Sequence, residues 1–237
     1  MRTGEEAVAL SDRTLRFPTG SFLAGLPPKA CSALLALGTL KEYDPDTVLL
    51  HEGDSSTHAF LLLNGCVKIT GTTPDGQLAL LAIRVGGDLV GELAAMDGQP
   101  RIATATTAGR VRARIVAQAE FRRFLTETPE VALAASSNVA VKLRWATRRR
   151  IDFGSREVRV RLARVLVELS ASYGVPAGPD VELGVSLSQP ELAALVGAAE
   201  PTVHRALALL RREDIVETGY RSLRIRDRLR LAAVAEG

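Results

Sequence analysis

The chain has 237 residues, of which 46% are hydrophobic and 24% charged, and its formal net charge is +3 at pH 7. This is the composition of a globular protein with one large domain or two modest ones. No apolar run approaches the roughly 20 residues that cross a bilayer, Met1 to Pro18 lack the apolar stretch of a signal peptide, and Cys31 and Cys66 are too few for a disulfide framework. We therefore expect a cytoplasmic protein without a membrane partner.

The charge is divided unevenly along the chain. Residues 1–130 hold 13 Lys and Arg against 15 Asp and Glu, whereas residues 131–237 hold 17 against 12. A basic half of this kind is typical of a region that binds a polyanion. A solvated arginine-rich surface has the same composition, so charge alone leaves both interpretations open.

The first half of the chain indicates a β-domain. Residues 1–20 have no clear period and are predicted to be a mobile tail, and a short helical stretch follows from Phe22 to about Gly38. From Thr39 to about Ala117 short strands alternate with turn residues, which predicts a β-sandwich or barrel.

Several of these strands can be placed individually. Asn64-Gly65 suits a type I′ turn, in which both central residues need positive φ, so Ala59–Leu63 and Cys66–Thr70 are predicted to form a hairpin. Further predicted elements are a strand at Thr47–Leu50, a turn at Pro74–Gly76, a strand at Leu78–Val85, and a strand pair at Ile102–Thr107 and Val111–Val116.

Helices are predicted after Ala117. A short one covers Phe121–Leu125, and a long one runs from Pro129 to about Asp152, where Phe153-Gly154-Ser155 is predicted to break it as a domain hinge. A narrow stripe at spacings of three and four consists of Ala132, Ala135, Val139, Leu143, Ala146 and Arg150. Such a stripe favours a seam between two copies of the helix, although a helix lying against its own barrel is the alternative.

The remaining elements form a second domain. A helix from Arg156 to Tyr173 precedes a loop at Pro176–Pro179, and a basic hairpin is predicted from Ile215 to Ile225. The expected boundaries are a tail at 1–20, a sensor domain at 21–128, a dimerisation helix at 129–153 and a DNA-binding domain at 154–237.

Between the loop and the hairpin lies a pattern typical of a helix-turn-helix. Ser188 and Glu191 form a capping box for a helix at Gln189–Val196, Gly197 occupies the turn, and a second helix follows at Pro201–Arg212. The residues expected to contact DNA are Ser188, Gln189, Glu200, Pro201, Thr202, His204, Arg205, Arg211 and, in the hairpin or wing, Arg221. A helical hairpin with a solvated polar face is the alternative.

The segment from Gly86 to Ala105 indicates a ligand site. Gly91 lets the backbone approach a ligand, and the amides after it open a helical turn that favours an anion. Arg101 can pair bidentately with a phosphate, and the Glu92 carboxylate can accept from a sugar hydroxyl. Together these residues suit a small phosphorylated sugar.

This segment resembles the phosphate-binding cassette of cyclic-nucleotide-binding domains, and residues 20–226 resemble the cyclic-AMP receptor protein (catabolite activator) family. The resemblance implies an α+β fold with an N-terminal β-roll or jelly-roll sensor, a long dimerisation helix and a C-terminal winged helix-turn-helix. It also implies a homodimer that binds double-stranded DNA and uses cAMP or cGMP as effector, with Glu92 on the ribose and Arg101 on the phosphate. The effector-binding residues it implies are Gly91, Glu92, Leu93, Arg101, Ile102, Ala103 and Thr147, the last aligned together with Ala146.

Two departures from the family pattern affect these expectations. Ile102 stands where bacterial cyclic-AMP responders carry Ser or Thr, and it is expected to crowd the ligand and to lose a hydrogen bond worth roughly 1.5–3 kcal/mol. The recognition helix has Glu200-Pro201 where the family often has Arg-Glu, so a different DNA sequence is expected while Arg205 is retained. A vestigial pocket, in which Glu92 and Arg101 pair with each other, is the alternative to a ligand site.

The sequence thus predicts a DNA-binding transcription regulator that is controlled by a small effector and is not an enzyme. RNA polymerase is a further candidate partner, for whose contacts the sequence has no signature. A regulator with a different effector or none remains open, although two cysteines are too few for an iron–sulfur cluster and His51 and His58 lack the context of a haem site. A cupin-type metalloenzyme would need clustered metal ligands, so no metal is expected.

Overall fold

A computed structural model describes residues 16–73, 78–185, 187–219 and 222–237. The described chain begins with a 3₁₀ turn at Leu23–Gly25 and helix α1 at Pro28–Leu35, which confirms the predicted helical stretch. Residues 1–15 of the predicted tail lie outside the described residues. Within its described part, Phe17 packs against a buried cluster that also contains Phe22 and Leu23, so this end of the predicted tail is held by contacts.

The sensor domain is a sandwich of two antiparallel four-stranded sheets. Its elements are β1 Thr39–Tyr43, β2 Val48–Leu50, β3 Ala59–Asn64, β4 Cys66–Thr72, β5 Leu78–Val85, β6 Leu89–Val90, helix α2 Glu92–Asp97, β7 Thr104–Thr107 and β8 Val111–Val116. The strand orders are β1-β8-β3-β6 and β2-β7-β4-β5. Phe60 and Leu62 of one sheet pack against Val67 and Ala105 of the other, and none of these four side chains is more than 2% exposed.

The strand pairing corrects two predictions. β3 and β4 are not a hairpin: β3 pairs with β6 and β8, whereas β4 pairs with β5 and β7. At the predicted type I′ turn only Gly65 has positive φ among the two central residues, and the chain crosses there from one sheet to the other. A Cβ on Gly65 would lie 2.4 Å from the carbonyl oxygen of Arg110, so a close passage of two backbones requires the glycine. The predicted pair β7 and β8 is likewise split between the sheets, and the predicted turn at Pro74–Gly76 lies outside the described residues.

Two helices cover the sensor and connect it to the second domain. Helix α3 spans Gln118–Glu127 and is longer than predicted, and helix α4 spans Pro129–Ser155. The predicted hinge at Phe153–Ser155 is wrong, because α4 continues through it. A Cβ on Gly154 would meet no atom within 4 Å, and one exposed glycine costs a helix only about 1 kcal/mol.

The predicted seam on α4 is only partly exposed. Ala135 is 1% exposed and packs with Val131 in the sensor's own helical cluster. The stripe therefore includes a residue of the intramolecular face. The large exposed side chains of α4 are Leu133, Val141, Leu143, Ile151 and Phe153.

The second domain is built on helix α5, Val158–Tyr173. It continues with β9 Gly174–Ala177, β10 Asp180–Leu183, α6 Gln189–Val196, α7 Glu200–Arg212, β11 Val216–Gly219, β12 Ser222–Ile225 and α8 Arg228–Glu236. The predicted loop at Pro176–Pro179 is instead the end of β9 and the turn that leads into β10. The β9–β10 hairpin joins the wing in one sheet of order β11-β12-β10-β9. Leu80, Ile83 and Val85 of β5 belong to the apolar core of this domain, so one face of the sensor packs on it.

Candidate functional site

The cassette begins with a glycine that the geometry requires. Gly91 has φ 77° and precedes α2, whose first residue is Glu92. A Cβ on Gly91 would lie 2.6 Å from Nη1 of Arg101 and 2.8 Å from a methyl group of Leu50. Any side chain larger than hydrogen at this position would collide with Arg101, so the backbone can approach the guanidinium only with a glycine here.

Arg101 is a buried cation surrounded by neutral oxygens. The residue is 5% exposed. Its Nε donates to Ser56 Oγ at 3.2 Å, Nη1 donates to the Gly91 carbonyl oxygen at 2.8 Å, and Nη2 donates to the carbonyl oxygen of His58. Burial lowers the pKa of the guanidinium. The carboxylates of Asp54 and Glu92 oppose part of that lowering, but within the described ranges neither they nor any other carboxylate lies at ion-pair distance from Arg101. The hydrogen-bond partners of its charge are therefore neutral, and the charge remains available to an anion.

Glu92 is paired with the long helix. The residue is 7% exposed, and Lys142 Nζ lies 2.8 Å from Glu92 Oε1 while also donating to the Leu89 carbonyl oxygen at 3.2 Å. Burial alone raises the pKa of the Glu92 carboxyl, but the ammonium and its hydrogen bond outweigh that effect and leave the pKa below its ordinary value. The alternative in which Glu92 pairs with Arg101 is therefore wrong.

Sequence reasoning missed Lys142. Its polar neighbours on the same face of α4, Asn138 and Arg149, lie four residues before it and seven after it. That row of polar residues at helical spacing is the sequence signal from which Lys142 could have been predicted as a functional residue. It marks the side of α4 that faces the protein's own sensor domain.

The other predicted effector residues differ in their exposure. Leu93 and Ala103 are half-buried, whereas Ile102 is 70% exposed, so the expectation that it crowds a bound ligand stays a prediction. Thr147 is exposed. Because each residue turns a helix by about 100°, Thr147 points to a different side of α4 from Lys142 and away from its own cassette.

The helix-turn-helix forms by the predicted local chemistry. Glu191 N donates to Ser188 Oγ at 3.4 Å and Ser188 N donates to the Glu191 carboxylate at 2.7 Å, which completes the capping box of α6. Gly197 follows with φ 66° in the left-handed region. Helix α7 then buries Val203, Ala206, Leu207 and Leu210 against α5 and α6.

The opposite face of α7 is open. Glu200, Pro201, His204, Arg205 and Arg211 are exposed, as is Gln189 on α6, while Thr202 and Ser188 are half-buried. Arg205 donates to Thr202 Oγ1 at 3.4 Å and Arg211 donates to Thr218 Oγ1 at 3.1 Å. As far as the structure describes the chain, neither guanidinium has a carboxylate partner, so both can reach a nucleic acid.

The wing, predicted as a basic hairpin, has described arginines that lie beside carboxylates. Arg226 lies 3.3 Å from Asp214 and 3.1 Å from Glu217, and Arg224 is within 4.0 Å of Glu182 and Glu217. These two arginines are occupied in bracing the hairpin, because its strands place the acidic side chains beside them. Arg221 lies outside the described residues.

The described part of the chain has neither a metal-binding cluster nor a membrane-spanning helix. No group of three or more His, Cys, Asp or Glu side chains is arranged to hold a metal ion there. No helix in these ranges is both long and apolar enough to span a membrane.

Comparisons with known proteins agree with both halves of this description. Residues 40–128 match the cyclic nucleotide-binding domain family, and residues 160–234 match the Crp-like helix-turn-helix domain family. The chain is 30% identical over 208 residues to a CRP-like cAMP-activated global transcriptional regulator of Mycobacterium tuberculosis H37Rv, which covers 88% of this chain and 93% of the relative.

Solved structures show the same architecture. A CRP/FNR-family transcriptional regulator from Thermus thermophilus has a TM-score of 0.66 and 26% identity, covering 84% of this chain and 99% of that one. FixK2 from Bradyrhizobium japonicum has a TM-score of 0.72 at 22% identity, covering 84% and 97%. With a sensor domain that contains the cassette and an exposed recognition helix in a Crp-like domain, the chain belongs to the CRP/FNR family of effector-controlled transcription regulators.

Proposed function

We propose that this regulator is a cytoplasmic homodimer whose affinity for its operator is set by a cyclic nucleotide, cAMP or cGMP, bound by Arg101 and Glu92. The observation that carries the proposal is the Arg101 guanidinium, which is 5% exposed and has only neutral oxygen partners in the described residues. A buried cation of this kind is stabilised most by an anion that can take two of its N–H groups at once. A cyclic phosphate has this form, and the relative from M. tuberculosis is named as cAMP-activated.

Glu92 supplies the second half of the recognition. The pKa of its carboxyl is lowered, so at neutral pH it is a hydrogen-bond acceptor, which suits the 2′-hydroxyl of a ribose. A ligand that reaches Glu92 also meets Lys142 of α4, 2.8 Å away. Ligand binding and the position of the long helix are thereby joined through one ion pair.

The second subunit would pack on the exposed side of α4. Leu133 is 70% exposed, Leu143 65% and Ile151 63%, and such a row of apolar side chains is typical of a protein–protein interface. Thr147 lies on the exposed side as well, where it can contact a ligand held by the partner. Two copies of α7 would then read half-sites about 34 Å apart, one turn of DNA.

The test uses fluorescence anisotropy on a duplex selected from a random library with the wild-type protein. Affinity is measured without ligand, with cAMP and with cGMP, for wild type, Arg101→Ala and the control Arg110→Ala. Arg110 lies between β7 and β8 of the same domain, and its side chain is 86% exposed. We expect one nucleotide to change the affinity of wild type and Arg110→Ala at least tenfold, and Arg101→Ala to lose the response but still bind DNA. Equal affinities in all combinations would refute nucleotide control and leave DNA binding standing.

A regulator with another effector, or none, is the second candidate. Two observations favour it: Lys142 already satisfies Glu92, and Ile102 offers no hydroxyl to a phosphate. Thermal shift measurements with cAMP, cGMP and cyclic dinucleotides separate the candidates, because a ligand of the folded state raises the melting temperature. A rise with a dinucleotide alone, or with none of them, would support this candidate.

A further inference from the structure

The last turns of the long helix lie directly against the turn of the helix-turn-helix. A Cβ on Gly197 would fall 1.5 Å from Cζ of Phe153. The edge of the aromatic ring therefore rests on the glycine's α-carbon, with no side chain between them. Helix α7 begins at Glu200, three residues after this contact, so a displacement of the ring acts on the start of the recognition helix.

Arg161, in the first turns of α5, holds the ring in place. Its guanidinium carbon lies 5.1 Å from the centroid of the Phe153 ring, a cation–π distance. Its Nη1 donates to the Gly197 carbonyl oxygen at 3.0 Å. One side chain thus contacts both members of the pair and fixes their separation.

Arg149 makes a second connection one turn earlier on α4. It donates to the Leu195 carbonyl oxygen, one of the last carbonyls of α6, which has no partner within its own helix. A positive charge at a helix C-terminus is favourable. Arg149 and Phe153 are four residues apart and share a face of α4, so the long helix contacts the end of α6 at two successive points.

The connection between the two helices is also short and braced. Only Arg156 and Glu157 separate α4 from α5. Arg164 of α5 pairs with Asp152 of α4, and the same arginine donates to the Ala235 carbonyl oxygen of α8. Asp152 is 6% exposed. These contacts brace the junction of the two helices, and the Phe153 side chain, 52% exposed, contacts Gly197 beside it.

We propose that Phe153, clamped by Arg161 onto Gly197, is a positioning residue that sets the orientation of the recognition helix relative to the long helix, and so determines which separation of half-sites the dimer reads. This inference rests on the proposed dimeric readout. It requires neither residue to touch DNA. Its consequence is a specificity for operator spacing that is separate from the specificity for base sequence.

The experiment measures affinity for a set of duplexes that carry two copies of the half-site selected by the wild-type protein. The centre-to-centre spacing is varied one base pair at a time around one helical turn, and a duplex with a single half-site is included. The proteins are wild type, Phe153→Ala, Arg161→Met and, as a control, Leu229→Ala. Leu229 is an apolar residue of the same domain and is 85% exposed. Circular dichroism checks that each variant is folded. If Phe153→Ala does not fold, Arg161→Met still tests the inference.

Wild type and Leu229→Ala are expected to show one preferred spacing. In Phe153→Ala and Arg161→Met the affinity at that spacing should fall at least about fivefold, the effect of losing one base contact, and the neighbouring spacings should become comparable to it. Affinity for the single half-site should stay unchanged. An unchanged spacing profile overturns the inference, and so does an equal loss on the single half-site. A wild-type protein with no preferred spacing would refute the dimeric readout and this inference with it, whereas nucleotide binding by calorimetry would be unaffected.

Discussion

The ion pair between Glu92 and Lys142 predicts a large and non-additive effect on stability. The atoms are 2.8 Å apart, and the side chains are 9% and 22% exposed. Removing one partner of a buried pair leaves an uncompensated charge, which costs about 3–5 kcal/mol, whereas replacing both partners by neutral side chains of similar size is often nearly neutral. We therefore expect Lys142→Met to lower the free energy of unfolding at pH 7 by about 3 kcal/mol, the lower end of that range because water reaches the site from the Lys142 side.

A double-mutant cycle measures the coupling. Wild type, Lys142→Met, Glu92→Gln and the double variant are unfolded in urea at pH 7. We expect the double variant to lie within about 1 kcal/mol of wild type, because neither member of the pair is then left as a buried charge without its partner. Single effects that add, to within about 0.5 kcal/mol, would refute the buried ion pair.

The pH dependence has a definite sign. In wild type the pKa of Glu92 is lowered, so its stabilising contribution is present above the ordinary carboxyl pKa and is lost as the pH falls through the lowered value. Without Lys142, burial raises the pKa of the same carboxyl. The cost of Lys142→Met should therefore shrink between pH 7 and pH 5, because Glu92 can take up a proton in the variant. A cost that grows over this interval would contradict the reasoning.

Three further predictions concern single residues. Gly197→Ala should lower the free energy of unfolding in urea by about 2–4 kcal/mol, because alanine is strained in the left-handed region and its Cβ collides with Phe153. In the double variant with Phe153→Ala the part due to the collision should be recovered. If the effects of the two substitutions on the free energy of unfolding simply add, the contact is contradicted. Arg205→Ala should cost about 1–3 kcal/mol at one base pair in binding to duplexes with single substitutions, whereas a uniform loss over all duplexes would make Arg205 a phosphate contact. Trp145 of α4 is the single tryptophan of the chain, its indole N–H is buried without a partner among the described residues, and Arg149 lies 4.7 Å from the centre of its ring. Binding of a cyclic nucleotide should therefore change the tryptophan fluorescence of wild type but not that of Arg101→Ala. If calorimetry shows binding while the emission stays unchanged, movement of α4 is refuted.

The features that sequence analysis predicted correctly depend on neighbours in the chain. The capping box needs only Ser188 and Glu191 three residues apart, and the turn at Gly197 needs only a residue that tolerates positive φ. The position of Gly91 before a helix was predicted in the same way, and Arg101 does contact it, whereas their role as an anion site stays a prediction.

Strand pairing was the main failure, because it depends on distant contacts. β3 is buried on both faces, Phe60 and Leu62 toward the other sheet and Ala59 and Leu61 toward the helices. Such a strand has no alternation of polar and apolar residues from which its partners could be deduced. A turn motif at Gly65 then favoured the nearest partner in sequence, and the chain instead crosses between sheets.

Dependence on contacts distant in sequence also explains why α8 and the role of Lys142 were not predicted. Helix α8 buries only Leu231 among its residues, so its apolar pattern is weak, and its position depends on α5. Lys142 has no local partner, since Glu92 lies 50 residues earlier in the chain. Neither contact can be inferred without the packing of α4 against the cassette.

The placement of Lys142, Arg149 and Phe153 on α4 suggests how the two domains are coupled. Eleven residues separate Lys142 from Phe153, which is about three helical turns and about 16 Å of axial rise, so both side chains lie on the same face of the helix. One end of this row contacts the cassette at Glu92, and the other contacts the recognition motif at Gly197. Because a helix is stiff over three turns, a ligand that displaces Lys142 from Glu92 would rotate or shift Phe153 with it. The ligand can change DNA binding only to the extent that it binds one of these two positions of the helix more tightly than the other, and breaking the Glu92–Lys142 pair is one contribution to that difference.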